Sequence, residues 1–280
     1  MRMAERIAAM PVRYPFSFVI AGDSGAWPDP TADAIITALL RQIARLEPRP
    51  VFFANLGDFA GPGTIERHEH YLRLVEPLPL PDVCVVGNHD LDDPAARDAW
   101  AQVHGPMNFE FAYGQTRFVA IDAAPAAAAK GTEAPGDEAL AFLARSLEAA
   151  PEPNRVVLMH CPPHLDGRFT PHPEWGFDIR ESEFLGLVRR HGVKLVCCAH
   201  ALFFDHFLHE GTHFVVSGGG GTALCSHFRG VCAEGDGRPE DRGALFHAVQ
   251  ITVGADGAIS GRVIQAFDPI DGRARIAFGA

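Results

Sequence analysis

Five apolar runs in the chain each stop on residues that carry chemistry. FSFVIAGDSG stops at Asp23, VFFANLGD at Asp58, VCVVGNHD at Asn88, His89 and Asp90, RVVLMHCPPH at His160, and VKLVCCAH at His200. A continuous β-branched run bounded by Gly reads as a strand buried on both faces. Polar groups just past the carboxyl end of such a strand face the usual ligand crevice of an α/β protein. Between the runs the period changes to that of a helix. Asp29, Pro30 and Thr31 start a helix that keeps Ile35, Ile36, Leu39, Leu40, Ile43 and Leu46 on one face. Thr64 to Val75 predicts a second, with Ile65, Leu72 and Val75 inward, and Asp93-Pro94 caps a third that carries Trp100 and Val103. Strand and helix therefore alternate, the pattern of parallel strands with crossover helices.

From Phe109 to Asp122 the period falls to two, and the turn at Gly114-Gln115 predicts an antiparallel hairpin. PAAAAKGTEAPG reads as a loop, after which Asp137 caps a helix holding Leu140, Leu143 and Leu147. A further helix runs from about Ile179 to His191 and stops at Gly192. The remainder is mostly β: Thr212 to Ser217, a glycine run from Gly218 to Gly221, and a closing hairpin about Asp256-Gly257. The glycine run is not followed by a helix start, so it reads as a close backbone passage beside the site rather than a phosphate cradle.

Composition narrows the function classes. The 280 residues fit one α/β domain spanning 1–280, and the formal net charge of −11 leaves no footprint for nucleic acid. Arg189, Arg190 and Lys194, the nearest thing to a basic cluster, read as a solvated helix end. The first residues lack the apolar core of a signal peptide, and no apolar segment is long enough to span a bilayer, so no membrane association is expected. Six cysteines in a chain of this length are not a disulfide framework. Cys84, Cys197 and Cys198 lie within apolar strands, where a reduced thiol packs as a small hydrophobe, and a cytoplasmic location is the expectation. Cys225 and Cys232 flank a Gly-rich loop and form a candidate pair or metal site. The sequence does not address oligomeric state.

Carboxylates, imidazoles and an amide oxygen are hard-to-borderline ligands suited to Mn, Fe or Zn. An Asp after Gly at a strand end is commonly a turn former, and a lone strand-end His is more often hydrogen-bonded than metallated. Five such coincidences in one chain point instead to a shared metal centre.

On Asp23-Ser24-Gly25, Gly57-Asp58, Gly87-Asn88-His89-Asp90, His160 within VLMHCPP, and Ala199-His200-Ala201-Leu202, the chain resembles the calcineurin-like metallophosphoesterases. The resemblance implies a four-layer α/β/β/α sandwich of two mixed sheets. It also implies one or two divalent or trivalent metal ions at the strand ends and hydrolysis of a small phosphomonoester or phosphodiester by metal-bound hydroxide. Asp58 matches the bridging ligand, with Asn88, His160 and His200 on one ion and Asp23 on the other. His89 matches the imidazole that contacts phosphate and protonates the leaving oxygen, with Asp90 orienting it.

Two family positions differ. Gly25 replaces the His of the first motif and Leu202 the final His, and the Tyr that purple acid phosphatases place three residues after the bridging Asp is Gly61 here. His206, following Asp205, and His164 are the candidate compensating groups, as substitute ligand and phosphate contact respectively; His68 and His70 read as a wet helix face. The alternative is a degenerate member that keeps the fold and one metal as a binding or structural module, and non-phosphate hydrolysis at a mononuclear site is a third option. Specificity would lie in the loops 59–64, 91–93, 164–177 and 225–242, with Phe169, His172 and Trp175 available over the crevice.

Overall fold

A computed structural model describes residues 3–124, 134–164, 176–178, 182–224, 242–243, 245–266 and 275–278. In chain order the elements are α1 (Met3–Ala8), β1 (Phe16–Ala21), α2 (Pro30–Ile43), β2 (Phe53–Asn55), α3 (Ile65–Val75), β3 (Asp82–Cys84), a 3-10 turn at His89–Leu91, α4 (Ala96–Val103), β4 (Phe109–Tyr113), β5 (Thr116–Ala120) and α5 (Asp137–Ala149). There follow β6 (Asn154–Leu158), β7 (Pro163–His164), β8 (Phe177–Asp178), α6 (Glu183–Arg190), β9 (Leu195–Cys198), β10 (Phe204–His209), β11 (Thr212–Ser217), β12 (Arg242–Gly243), β13 (His247–Val253), β14 (Ile259–Gln265) and β15 (Arg275–Phe278).

Two mixed sheets result. One runs β15-β14-β13-β1-β2-β3 and the other β12-β10-β11-β9-β6-β5-β4. Strands β1, β2 and β3 run parallel, with β3 at the edge of its sheet, and β5, β6, β9 and β11 are likewise parallel. Antiparallel partners, among them β13 on β1 and β4 on β5, extend the sheets outward. The alternation of each apolar run explains the layering. Phe18 and Ile20 face a core shared with Val156, Leu158, Leu195 and Cys197 of the other sheet. Val19 and Ala21 face the opposite way, onto the apolar side of α2 and onto Trp100 of α4. Val157, Val196 and Cys198 likewise face Leu143 and Leu147 of α5 and Phe184 and Val188 of α6. Helices, sheet, sheet, helices are the four layers expected. Because both faces of each central strand are covered, the strands read as unbroken apolar runs rather than alternating ones.

The central core is strongly aromatic: Phe18 stacks on Phe52 at 5.0 Å between ring centroids, and Phe118 meets both edge-on at 5.1 and 5.2 Å. Burying each such ring contributes about 1.5–3 kcal/mol. The hairpin at Gly114 and the closing hairpin of β13 and β14 form as predicted. Among the described residues no helix is long and apolar enough to cross a membrane.

Helix α3 departs from expectation. Ile65 and Leu72 are 38% and 40% exposed, whereas His68, Tyr71 and Val75 are buried. Thr64 caps the helix by accepting from the Arg67 amide, and the stripe that turns inward is the one that carries the largest ring. Tyr71 packs on Phe59 at 4.2 Å, and His68 stands edge-on to Trp100 at 5.6 Å. His68 is therefore part of the core, and burial lowers its pKa to about 4. His70 does lie at the surface, beside Asp33 at 2.9 Å. Helix α6 begins at Glu183, capped by Ser182 through the Leu185 amide. Ile179, Phe169, His172, Trp175, Cys225 and Cys232 lie outside the described residues.

Candidate metal centre

The parallel neighbours β1, β2 and β3 end at one rim, and β6 and β9 end at the same rim from the facing sheet. At that rim Asp23, Asp58 and His200 take left-handed backbone conformations, with φ of 59°, 57° and 65°. Such a φ costs a non-glycine residue about 1 kcal/mol. Among the described residues Glu210 is the other non-glycine with positive φ, so this strain concentrates where the strands turn into the crevice. Hydrogen bonds tie the turns to each other. The Asp23 amide donates to Gly57 O at 2.9 Å, and the Gly25 amide to Asp58 O at 2.8 Å. The His200 amide donates to Asp23 Oδ2 at 2.7 Å, and the His89 amide to Asp58 Oδ1 at 2.9 Å.

The side chains converge. Asn88 Oδ1 lies 3.0 Å from His160 Nε2 and 2.9 Å from His200 Nδ1, and those two ring nitrogens are 3.2 Å apart. His160 Nε2 is also 3.4 Å from Asp58 Oδ2. Its other nitrogen, Nδ1, donates to Leu56 O at 2.7 Å, which fixes the ring and turns Nε2 into the cluster. Donor atoms of Asp23, Asp58 and His160 lie within 4.8 Å of one another, as do those of His160, Cys161 and His200. Sequence reasoning missed Cys161 here, because it sits in an apolar stretch beside His160 and reads as packing.

The cluster gathers three buried carboxylates. They are those of Asp23, Asp58 and Asp90. Burial pushes the Asp23 carboxyl well above the usual carboxylate range, and the negative charge of Asp58 pushes it further. Burial also works to raise Asp58, but the adjacent His160 outweighs it and holds Asp58 at about 2. For His160, burial works downward and the Asp58 carboxylate overcomes it, raising the imidazole to about 10. An excess of buried carboxylate beside two imidazoles and an amide oxygen is the donor set of a hard-to-borderline metal ion, and the residues present fit one.

His89 and its neighbours differ from the sequence expectation. The carboxylate bonded to His89 Nδ1 is Asp92, at 2.7 Å, one turn further along the 3-10 segment. Asp90 does not orient His89. Its two oxygens accept four backbone amides instead, those of Asp58 and Gly87 at 2.9 Å, Phe59 at 3.0 Å and Ala60 at 2.8 Å. Burial, then the charge of Asp58, raises Asp90 to about 6 against the pull of those donors. Asp90 thus clamps the loop after β2 to the loop after β3. Trp27, with no role in the sequence reading, tilts over His89 at 4.8 Å between ring centroids.

The two departures from the family pattern also have structural places. A Cβ at Gly25 would stand 2.6 Å from Phe59 O, so the backbone there has closed against the next loop and leaves no room for a side chain. Leu202 packs on the apolar cluster of α5 and α6. Neither candidate substitute belongs to a described donor group: His206 Nε2 is 3.0 Å from His213 Nδ1 on paired strands, and His164 lies on β7. The glycine run is a close passage: a Cβ at Gly218 would stand 2.1 Å from Ala201 O and 2.9 Å from Asp23 Oδ2. The amides of Gly218 and Gly220 are already used, on Phe203 O at 3.2 Å and Gly22 O at 2.8 Å.

A family model described as calcineurin-like phosphoesterase matches residues 16–202. The fold is similar to a purple acid phosphatase from yellow lupin, Lupinus luteus, with a TM-score of 0.70, 17% identity, and coverage of 94% of this chain and 54% of that one. The chain thus spans about half the length of the lupin protein. It is also similar to GAP50, described as the anchor in the inner membrane complex of Plasmodium, with a TM-score of 0.67, 14% identity, and coverage of 96% and 88%. PhoD shows the same fold at a TM-score of 0.64 and 10% identity, covering 91% of this chain and 70% of that one. No curated protein matches the chain.

Proposed function

Because the chain belongs to the calcineurin-like phosphoesterases, we propose that it hydrolyses a small phosphomonoester or phosphodiester at the rim formed by Asp23, Asp58, Asn88, His160 and His200. The observation that carries the reading is the convergence of Asn88, His160 and His200 on one another at 2.9–3.2 Å, with Asp58 alongside at 3.4 Å. Asn88, His160 and His200, with Asp58, would hold the tighter ion; Asp23 and Asp58 would serve a weaker one. Mn, Fe or Zn fits that donor set, and such an ion supplies Lewis-acid activation of water and neutralises charge on the phosphate.

The chain's own residues do the rest. His89 is the proton donor to the leaving oxygen, and Asp92 positions it: with Nδ1 held by the carboxylate, the ring is fixed and Nε2 is the nitrogen left to serve substrate. Asp90 acts at a distance, keeping the loops that carry Asp58 and His89 in register. The thiols of Cys84, Cys197 and Cys198 support a cytoplasmic location.

The test is reconstitution with each metal and assay on p-nitrophenyl phosphate and its bis ester. Turnover that depends on metal and falls in His89→Ala supports the reading; metal binding with no turnover on a broad ester panel would favour a binding module that keeps the fold, a reading motivated by Gly25 and Leu202.

A further inference from the structure

The loop between β1 and α2 is pinned along its length. Gly25 bonds to Asp58 O at 2.8 Å and accepts from the Gly61 amide at 3.0 Å. The Ala26 amide donates to Thr222 Oγ1 at 3.1 Å, and Asp29 caps α2 through the Thr31 amide at 2.8 Å. Between these ties stands Trp27, 52% exposed, where Ala26 immediately before it is buried. A large apolar ring held in the open by a fixed backbone gains little from folding. An indole edge or face presented to solvent in this way is preorganised for a ligand, since little freedom remains to be lost on binding.

Its position says what part of a ligand it meets. Among the described residues, Trp27 is the aromatic ring packed on His89, at 4.8 Å and a tilt of 55°. A proton donor to the leaving oxygen stands on the leaving-group side of the phosphate. A leaving group that passes His89 therefore runs onto Trp27. The close approach of Gly25 to Phe59 O draws the loop inward at the position where the family has a ligand, and the following residues carry the indole over the rim.

We propose that Trp27 is a stacking platform for the leaving group, and that the favoured substrates are phosphoesters whose leaving group carries a flat aromatic or heteroaromatic ring. This rests on the phosphoesterase reading and on His89 as its proton donor. Stacking of a base on an aromatic side chain is sequence-tolerant and changes binding by about 5- to 150-fold when the ring is removed.

The test uses two primary alkyl esters with closely similar leaving oxygens, adenosine 5′-monophosphate and glycerol 3-phosphate, so that acid catalysis is matched and only the ring differs. Metal-loaded wild-type protein should favour the nucleotide in kcat/KM by about tenfold or more, Trp27→Ala should bring the ratio close to one, and Trp27→Phe should keep most of it. A wild-type ratio near one, or a ratio unchanged in Trp27→Ala, overturns the proposal. Binding separates this failure from that of the phosphoesterase reading. If neither ester is hydrolysed, quenching of indole fluorescence by adenosine 5′-monophosphate and not by glycerol 3-phosphate, lost in Trp27→Phe, upholds the platform; equal or absent quenching in wild type overturns it.

Discussion

The cluster has two halves, and they are built differently. Around Asn88, His160 and His200 the side chains touch one another, and the His160 ring is fixed from behind by Leu56 O. Around Asp23 the described partner of the carboxylate is a backbone amide, that of His200, and on the proposed reading the two positions where the family pattern has an imidazole hold Gly25 and Leu202. Yet the backbone is equally strained on both sides, with left-handed φ at Asp23 and at His200 alike. The fold thus delivers positions to the rim whether or not the side chain there can bind. Strand order and turn geometry belong to the scaffold, while ligand identity is set residue by residue.

The largest expected effect tests the division between binding and chemistry. His89→Ala should leave metal content intact and lower turnover by about 10²–10⁴. Asp90 and Asp92 separate next. Asp90→Ala strands four buried amides and should destabilise the fold by roughly 4 kcal/mol in urea titration. Asp92→Asn should leave stability within about 0.5 kcal/mol and lower turnover on the order of tenfold, a contrast that would be reversed if Asp90 were the orienting group.

Ligands added to the poorer half should differ in effect with the room each position has. Leu202→His should tighten the weaker ion by about tenfold if the backbone still presents that position. Gly25→His should not, because its Cβ would meet Phe59 O at 2.6 Å, and a lower melting temperature is expected instead.

The smallest effect is the pH dependence of the metal-free protein. Asp58 is lowered from 3.8 to about 2, so its contribution is present above pH 3.8 and is lost as pH falls through 2. His160 is raised from 6.5 to about 10, so its contribution is complete below pH 6.5 and is lost as pH rises through 10. Asp90, raised to about 6, contributes below pH 3.8 and loses that contribution as pH rises through 6. Stability should therefore decline from pH 6 to pH 10 in urea titrations without metal. Over the same range metal affinity should rise, since binding displaces the His160 proton.

Much of this was legible in the residues. Asp23, Asp58, Asn88, His160 and His200 could be placed because strands covered on both faces leave long apolar runs, and the residue that breaks such a run marks the rim. The first hairpin followed from the period-two stretch around Gly114-Gln115 and the second from the turn at Asp256-Gly257. What escaped the sequence depends on contacts made after folding. Asp90 and Asp92 are both carboxylates near His89, and only the 3-10 turn at His89–Leu91 decides that the one three residues on reaches the ring. His68 reads as polar, but its neighbours Trp100 and His104 come from another helix. Trp27 meets His89 across two loops, a pairing with no local periodic signal.

Counting bound ions distinguishes two unequal metal positions from two equal ones. Metal-stripped protein titrated with Zn²⁺ or Mn²⁺, with bound metal measured by elemental analysis, should take up one tight ion that is lost when His160 and His200 are replaced by Ala. A second ion should bind at least about tenfold more weakly. Two ions of equal affinity, or a tight ion that survives loss of both imidazoles, would rule out this division of the site.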